Sequence, residues 1–369
     1  MADDAGLISR HELQLATRNH GMPLEVLRHP ITPVGLHYLL IHYDIPMVDT
    51  TEWRLQIDGN VANPLELSLD DLRRRPRQSE TVTMECAGNG RAWMYPRPQS
   101  QPWLNEAVGT ATWTGTPLAP LLAEAGIGDG AVEVVFTGLD RGIDAGEEQF
   151  YGRSLTLEEA RRLEIILAYE MNGSPLLAQH GAPLRLVVPG WYGMTNVKWL
   201  SHITVVDQPF AGYQQEHSYR FRTTPDEPGT PLSRILPRAL MAPPGIPDFY
   251  TRQRFVAGGT CRLEGRAWSG WAAIAGVQVS VDDGNTWNEA DVEVGDLGRW
   301  AWHRWSYDWS PTEPGDYVIC CRARDAAGND QADFPTWNVG GYVNPAPHRV
   351  LVTVRDDATT PSADGRAQG

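Results

Sequence analysis

Cysteine is scarce in this sequence. Cys86, Cys261, Cys320 and Cys321 are the four in 369 residues, and no two form a CxxC pair, which argues against a cysteine-built structural zinc site and against a disulfide framework. Basic residues are also in deficit, 31 Lys and Arg facing 46 Asp and Glu for a formal charge of −15. A general nucleic-acid binder needs a basic surface to displace counterions from phosphate, so that class is excluded. A small anion stays admissible if it meets a local basic pocket, because surface charge farther away than about 8 Å is screened at physiological salt. No stretch reaches the roughly 18 consecutive apolar residues of a membrane span. The N-terminal MADDAGLISRHELQLATRNH has neither the apolar core of a signal peptide nor a twin-arginine pair, and a cytoplasmic protein is expected.

What is present is the composition of a folded chain, 41% hydrophobic and 21% charged, and 369 residues exceed what one core usually supports. Residues 1–240 are read as a mixed α and β domain with an N-terminal extension over 1–34, residues 241–356 as an all-β domain, and 357–369 as a polar, disordered tail. In the first domain WRLQIDGNV and AVEVVFTGLD read as strands, and LSLDDLRRRP and TPLAPLLAEAGI as short helices. TLEEARRLEIILAYEMNG reads as the clearest helix, because Thr156 and Glu159 form a capping box and Asn172-Gly173 offers a left-handed stop. APLRLVVPG and VKWLSHITVVD follow as apolar strands. The proline-rich RTTPDEPGTPLSRILPRALMAPPGIPD is read as the connection between domains. Beyond it, alternating Val277, Val279 and Val281, a turn at Asp283-Gly284, and the strands of GDYVICCRARDAAGND and HRVLVTV suggest an immunoglobulin-like sandwich. Eight of the 14 tryptophans lie between 268 and 337, where they are expected to fill that domain's core. Cys320 and Cys321 point to opposite faces of one strand and are read as small buried hydrophobes.

The chemistry centres on MECAGNGRAW, residues 84–93. Its glycines admit close approach to the backbone, and a thiolate at Cys86 beside Arg91 would have its charged form favoured. Three readings of Cys86 stand open: a soft metal ligand, a nucleophile and a buried structural thiol. The nucleophile needs a histidine base, and no feature ties any of the ten histidines to it. A metal held by one thiolate needs a cofactor to supply the remaining ligands. His180 and Arg185, in QHGAPLRLVVPG, point that way: a guanidinium in an apolar strand requires a carboxylate or phosphate partner. Lys198, in NVKWL, raises the same demand unless it sits at a solvated edge. Two basic residues entering consecutive strands suit a buried phosphorylated cofactor.

Taken in order, LIHYDIP, WRLQIDG, ECAGNGR, FTGLD, LAYEMNGSPLLAQHGAPLRLVVPGWYGMTNVKWL and WNVGGYVNPAPHRVLVTV resemble the sulfite oxidase family of molybdopterin oxidoreductases across roughly residues 35 to 352. The resemblance implies an α+β, β-rich molybdopterin domain followed by an immunoglobulin-like dimerisation domain, and hence a homodimer. It implies that Cys86 binds molybdenum and that His42, Asp140, His180, Arg185, Asn196, Val197 and Lys198 hold the pterin. His20, in RNHGMP, rivals His42, whose distance to WRLQIDG matches better. Tyr219 and Arg91 fall where the family contacts its anionic, sulfur-centred substrate. Leu40, Gly276 and Gly340 stand where the family has arginines. No CxxCH occurs and no haem is expected, so electrons would leave to a separate acceptor, a cytochrome or oxygen. The implied reaction is oxygen-atom transfer, with sulfite to sulfate foremost. Sulfoxide or other oxyanion reduction, a cysteine hydrolase, and a catalytically silent binding protein remain alternatives.

Overall fold

Strands dominate the computed structural model, which describes residues 8–293, 295 and 297–355; the tail expected from 357 lies outside the described residues. In the first domain a five-stranded sheet runs in the order Leu65–Leu67, Leu55–Gly59, Leu200–Val206, Glu133–Asp144, Glu147–Thr156. Leu55–Gly59 and Leu200–Val206 pair in parallel, which brings the end of the NVKWL segment into the middle of the sheet. A second sheet joins Gln78–Glu85, Val108–Pro117, Ile166–Met171 and Ser174–Pro175, with Arg185–Val187 paired onto Ile166–Met171. Both short helices form. Leu69–Arg73 opens on a Ser68–Asp71 capping box, and Leu118–Ala125 closes on Gly126 at φ 70°. No helix among the described residues is long and apolar enough to cross a membrane.

The long helix expected from TLEEARR onward is not there. Thr156 does cap a helix, accepting from the Glu159 amide, but that helix covers only Leu157–Ala160. Ile166–Met171 is instead a strand in the second sheet. Ile165, Ile166, Leu167 and Ala168 are all fully buried, and a run with no polar face cannot form the surface helix that the cap announced. Asn172 and Gly173, both at positive φ, make the two-residue turn into Ser174–Pro175. An Asn-Gly pair serves a hairpin as well as a helix end.

The second domain packs a four-stranded sheet (Arg238–Ala242, Cys261–Trp268, His303–Trp309, Asp291–Glu293) and a six-stranded sheet that includes Ile274–Ser280, Gly315–Asp325 and His348–Arg355. Val277, Val279, Trp305, Ile319, Cys321 and Val352 are in the core between them. The proline-rich connection is therefore not wholly a linker, because Arg238–Ala242 within it is a fully buried strand of the sandwich. The tryptophans are also divided. Trp305 and Trp309 fill the sandwich core, while Trp268 and Trp302 pack with Met22, Leu27 and Tyr219 where the two domains meet. The density of large aromatics thus serves the junction as much as the sandwich.

His348, buried in the sandwich, accepts the Met241 backbone N–H on Nδ1 at 3.0 Å. Burial, reinforced by the charge of Arg238, pulls its pKa down to about 3. As pH falls below the ordinary histidine value near 6.5, the unfolded chain takes up a proton that the native state refuses. Stability is then lost at about 1.4 kcal/mol per pH unit for each such histidine, down to the folded-state value. A His348→Gln protein is expected to lose stability less steeply between about pH 6.5 and about pH 4, by one proton's slope. Urea unfolding across that range reads the difference, and equal slopes contradict it.

Candidate active site

A cleft in the first domain encloses about 620 Å³ including its mouth, and its walls carry His42, Cys86, Asp140, His180, Arg185, Asn196, Lys198 and Tyr219. Cys86 is the first residue beyond the strand Gln78–Glu85. Its amide donates to the Ala107 carbonyl, and its carbonyl accepts from Asn89, both at 2.9 Å, so a tight turn fixes the thiol at 7% exposure. The body that the glycines admit is Arg91: a Cβ on Gly88 would lie 2.5 Å from its guanidinium. Arg91 itself does not line the cleft. Its Nε donates to the Gly340 carbonyl at 2.8 Å and its Nη1 to the Gln101 carbonyl at 2.9 Å, and its guanidinium lies 5.2 Å from the Tyr342 ring centroid. Burial pushes the Cys86 thiol pKa up, with Arg91 opposing. The expected thiolate is therefore disfavoured in the protein alone, whereas coordination to a metal ion deprotonates a thiol outright. Among the described residues no group of three or more His, Cys, Asp and Glu converges on a metal position, so a metal at Cys86 must bring other ligands with it.

Arg185 opens the strand Arg185–Val187, and no carboxylate among the described residues lies within ion-pair distance of it. It donates to the carbonyls of His180 at 3.1 Å and Asn196 at 3.2 Å, lies 4.5 Å from the Trp113 ring centroid, and leaves Nε without a hydrogen-bond partner. Burial lowers its pKa to about 10, which still leaves it a cation. An internal ion pair is thus not what balances its charge. Lys198 is no solvated edge residue either: its Nζ donates to the Leu40 carbonyl at 2.7 Å and lies 4.5 Å from the Trp199 ring centroid. Across the cleft, Asp140 is buried with Oδ1 unpartnered, and a Cβ on Gly138 would stand 2.6 Å from that oxygen. Burial raises the Asp140 carboxyl and lowers the Lys198 ammonium. His42 and His180 are held neutral, burial pulling each to about 3. Two cations against one carboxyl leave the cleft short of negative charge; the unpartnered Arg185 Nε is a position for an anionic group of a ligand, and Asp140 Oδ1 a position for one of its hydrogen-bond donors.

His42 stacks on Tyr151 at 4.8 Å between centroids, and its Nε2 shares a hydrogen bond with the Tyr219 hydroxyl. Tyr219 is held at φ 50° and Trp199 at φ 48°, conformations costing on the order of 1–3 kcal/mol that persist where the surroundings over-determine them. Other expected residues lie off the cleft or brace it. The Asn196 side chain accepts from the Val188 amide at 2.7 Å and donates to the Tyr192 carbonyl at 3.2 Å. Val197 packs in the main core and gives its carbonyl to the Leu186 amide. His20 is exposed and pairs through its backbone with Leu39, a residue of the cleft wall, but does not itself line the cleft as His42 does. Leu40 lines the cleft, Gly340 lies behind its wall with its carbonyl held by Arg91, and Gly276 lies in the six-stranded sheet beside Arg324.

Several cleft residues escaped the sequence reading: His37, Tyr38, Met84, Tyr151, Gln179 and Met194. Tyr151 and, behind the wall, Arg153 alternate along the strand Glu147–Thr156. The signal at Arg185 is an arginine in an apolar strand; Arg153 lies in the more polar EEQFYGRSLT, where the sequence carries no such signal.

Comparison with known proteins bears on what this cleft holds. The family described as "Oxidoreductase molybdopterin binding domain" matches residues 42–214, and "Mo-co oxidoreductase dimerisation domain" matches residues 251–355. Mitochondrial sulfite oxidase of Mus musculus is 36% identical over 341 residues, a match covering 88% of this chain and 62% of the mouse protein. An NADH nitrate reductase of Brassica napus is 31% identical over 366 residues, covering 90% of this chain and 40% of its own length. This chain therefore spans about three fifths of the mouse protein and less of the plant one. The structure of the sulfane dehydrogenase SoxCD from Paracoccus pantotrophus superposes with a TM-score of 0.77 at 25% identity, covering 96% of this chain and 94% of that one.

Proposed function

The chain belongs to the sulfite oxidase family of molybdopterin oxidoreductases, and from that premise we propose that it oxidises sulfite to sulfate and passes the electrons to a separate acceptor. The observation that carries the reading is the juxtaposition, in one buried and electropositive cleft, of a single thiol at Cys86 with the Tyr219 hydroxyl. The residues fit a molybdopterin. Cys86 would give its thiolate to molybdenum, a soft ligand suited to a soft centre. His180, Arg185, Lys198 and the Asn196 to Val197 backbone would hold the pterin and its phosphate, with His42 and Asp140 at its polar groups. When bound, that cofactor supplies oxygen-atom transfer: sulfite and water give sulfate, two protons and two electrons.

The chain's own side chains do the rest. The Tyr219 hydroxyl donates a hydrogen bond to the substrate oxygen, and neutral His42 fixes its direction. Arg91 contributes positive charge from behind Gly88 without entering the cleft. Its carbonyl partners hold the guanidinium in place, so its charge needs no reorganisation during turnover. The matched dimerisation domain suggests a homodimer formed through the sandwich.

Protein made in a molybdopterin-competent host is expected to carry about one molybdenum per chain. Sulfite with ferricyanide as acceptor is expected to give a higher kcat/KM than nitrate or dimethyl sulfoxide reduced with a viologen radical as electron donor. Loaded protein that ignores sulfite while reducing nitrate or the sulfoxide contradicts the reading.

A further inference from the structure

Arg153 is 1% exposed, and no carboxylate among the described residues lies within ion-pair distance of it. Nη1 donates to the Gln214 carbonyl, while Nε has no hydrogen-bond partner. An arginine remains protonated inside a protein, and the fold accepts the cost of burying this one without an opposing charge.

Its surroundings lead to the cleft. The guanidinium carbon lies 5.8 Å from the centroid of the Tyr219 ring, whose hydroxyl meets His42. Tyr219 and Tyr342 lie 5.4 Å apart, and Arg91 covers the Tyr342 ring at 5.2 Å. Two cations, each hydrogen-bonded to carbonyls, thus enclose a pair of tyrosines. Tyr151, two residues before Arg153 on the same face of its strand, also lines the cleft and anchors its hydroxyl on the Met194 carbonyl at 2.7 Å. Arg153 therefore sits one ring behind the wall where substrate meets Tyr219. Leu40 puts no charge on that wall, and Gly340 does not line it.

We propose that Arg153 is a specificity-determining residue, whose charge, acting through Tyr219, lets the cleft select a doubly charged sulfur oxyanion. In a poorly screened interior a fixed cation acts over such distances. The inference rests on the sulfite reading of the cleft. It predicts that the charge governs binding more than the rate of the bound complex.

The test uses molybdenum-loaded enzyme, sulfate as a non-reacting analogue in calorimetric titration, and sulfite kinetics. Arg153→Gln and Arg153→Met are the neutral variants and Arg153→Lys keeps the charge. Sulfate Kd and sulfite KM are expected to rise about tenfold or more in the neutral variants, kcat staying within about threefold. Arg153→Lys is expected to stay within about threefold of wild type on all three measures. Neutral variants that bind sulfate as wild type does, or a lysine variant as weak as the neutral ones, overturn the proposal. Neutral variants that lose their molybdenum overturn it too, since the residue then serves the fold rather than the anion. Loaded wild type that neither binds sulfate nor oxidises sulfite defeats the sulfite reading itself, a result distinct from these.

Discussion

A Cys86→Ser protein is expected to lose sulfite turnover by more than about 100-fold while folding normally. Loss of an outer partner of a metal ligand alone costs 10–100-fold, and this change removes the protein's one proposed ligand. The fold should tolerate it, because the hydrogen bonds of Cys86 to Ala107 and Asn89 are made by the backbone, which serine retains. Steady-state kinetics with ferricyanide, beside near-ultraviolet circular dichroism and thermal melting, read the two halves of the expectation. Near-normal turnover contradicts the ligand role, and a collapsed fold contradicts the claim that the thiol's part is chemical.

The second large effect lies directly behind Cys86. Glu85 accepts from Arg238 Nη1 at 2.8 Å, from Asn89 at 3.0 Å and from Trp268 Nε1 at 2.9 Å, and Arg238 also donates to Asn105 at 2.9 Å. The pair joins the strand that ends at Glu85, one residue before Cys86, to the buried strand Arg238–Ala242 of the sandwich. Arg238→Met is expected to destabilise the protein by about 3–5 kcal/mol, because Glu85 is left buried without its cation. Adding Glu85→Gln should restore part of the stability, since it removes the stranded charge. Denaturant unfolding of the single and double variants measures this. A single variant within about 1 kcal/mol of wild type, or a double variant that falls by the sum of both changes, contradicts it.

Part of the cleft was legible because its residues break local rules: Arg185 is a charge in an apolar strand and Cys86 a thiol amid glycines. His42, Asp140, Asn196 and Tyr219 break no such rule and were reached only through the resemblance to the family. The two-layer sandwich was legible from alternating valines and the Asp283-Gly284 turn. The strand Ile166–Met171 was not, because a true helix cap at Thr156 precedes it and burial by both neighbouring strands decides its form. Arg91 was placed by spacing after CAGN, yet spacing does not say which way a side chain turns. Its hydrogen bonds to the Gly340 and Gln101 carbonyls hold it behind the cleft wall. The lowered acidity of Cys86 was likewise hidden, since its burial exceeds the influence of the neighbouring arginine. Tyr151 and Arg153 lie in a strand with ordinary neighbours, and only the third dimension sets them against Tyr219 and His42.

The account stands most directly on the bond between Cys86 and molybdenum, and X-ray absorption at the molybdenum edge of loaded protein measures it. The prediction is that Cys86→Ser, with its molybdenum retained, shows one sulfur fewer around the metal than wild type does. An unchanged sulfur shell in the serine variant would contradict the account.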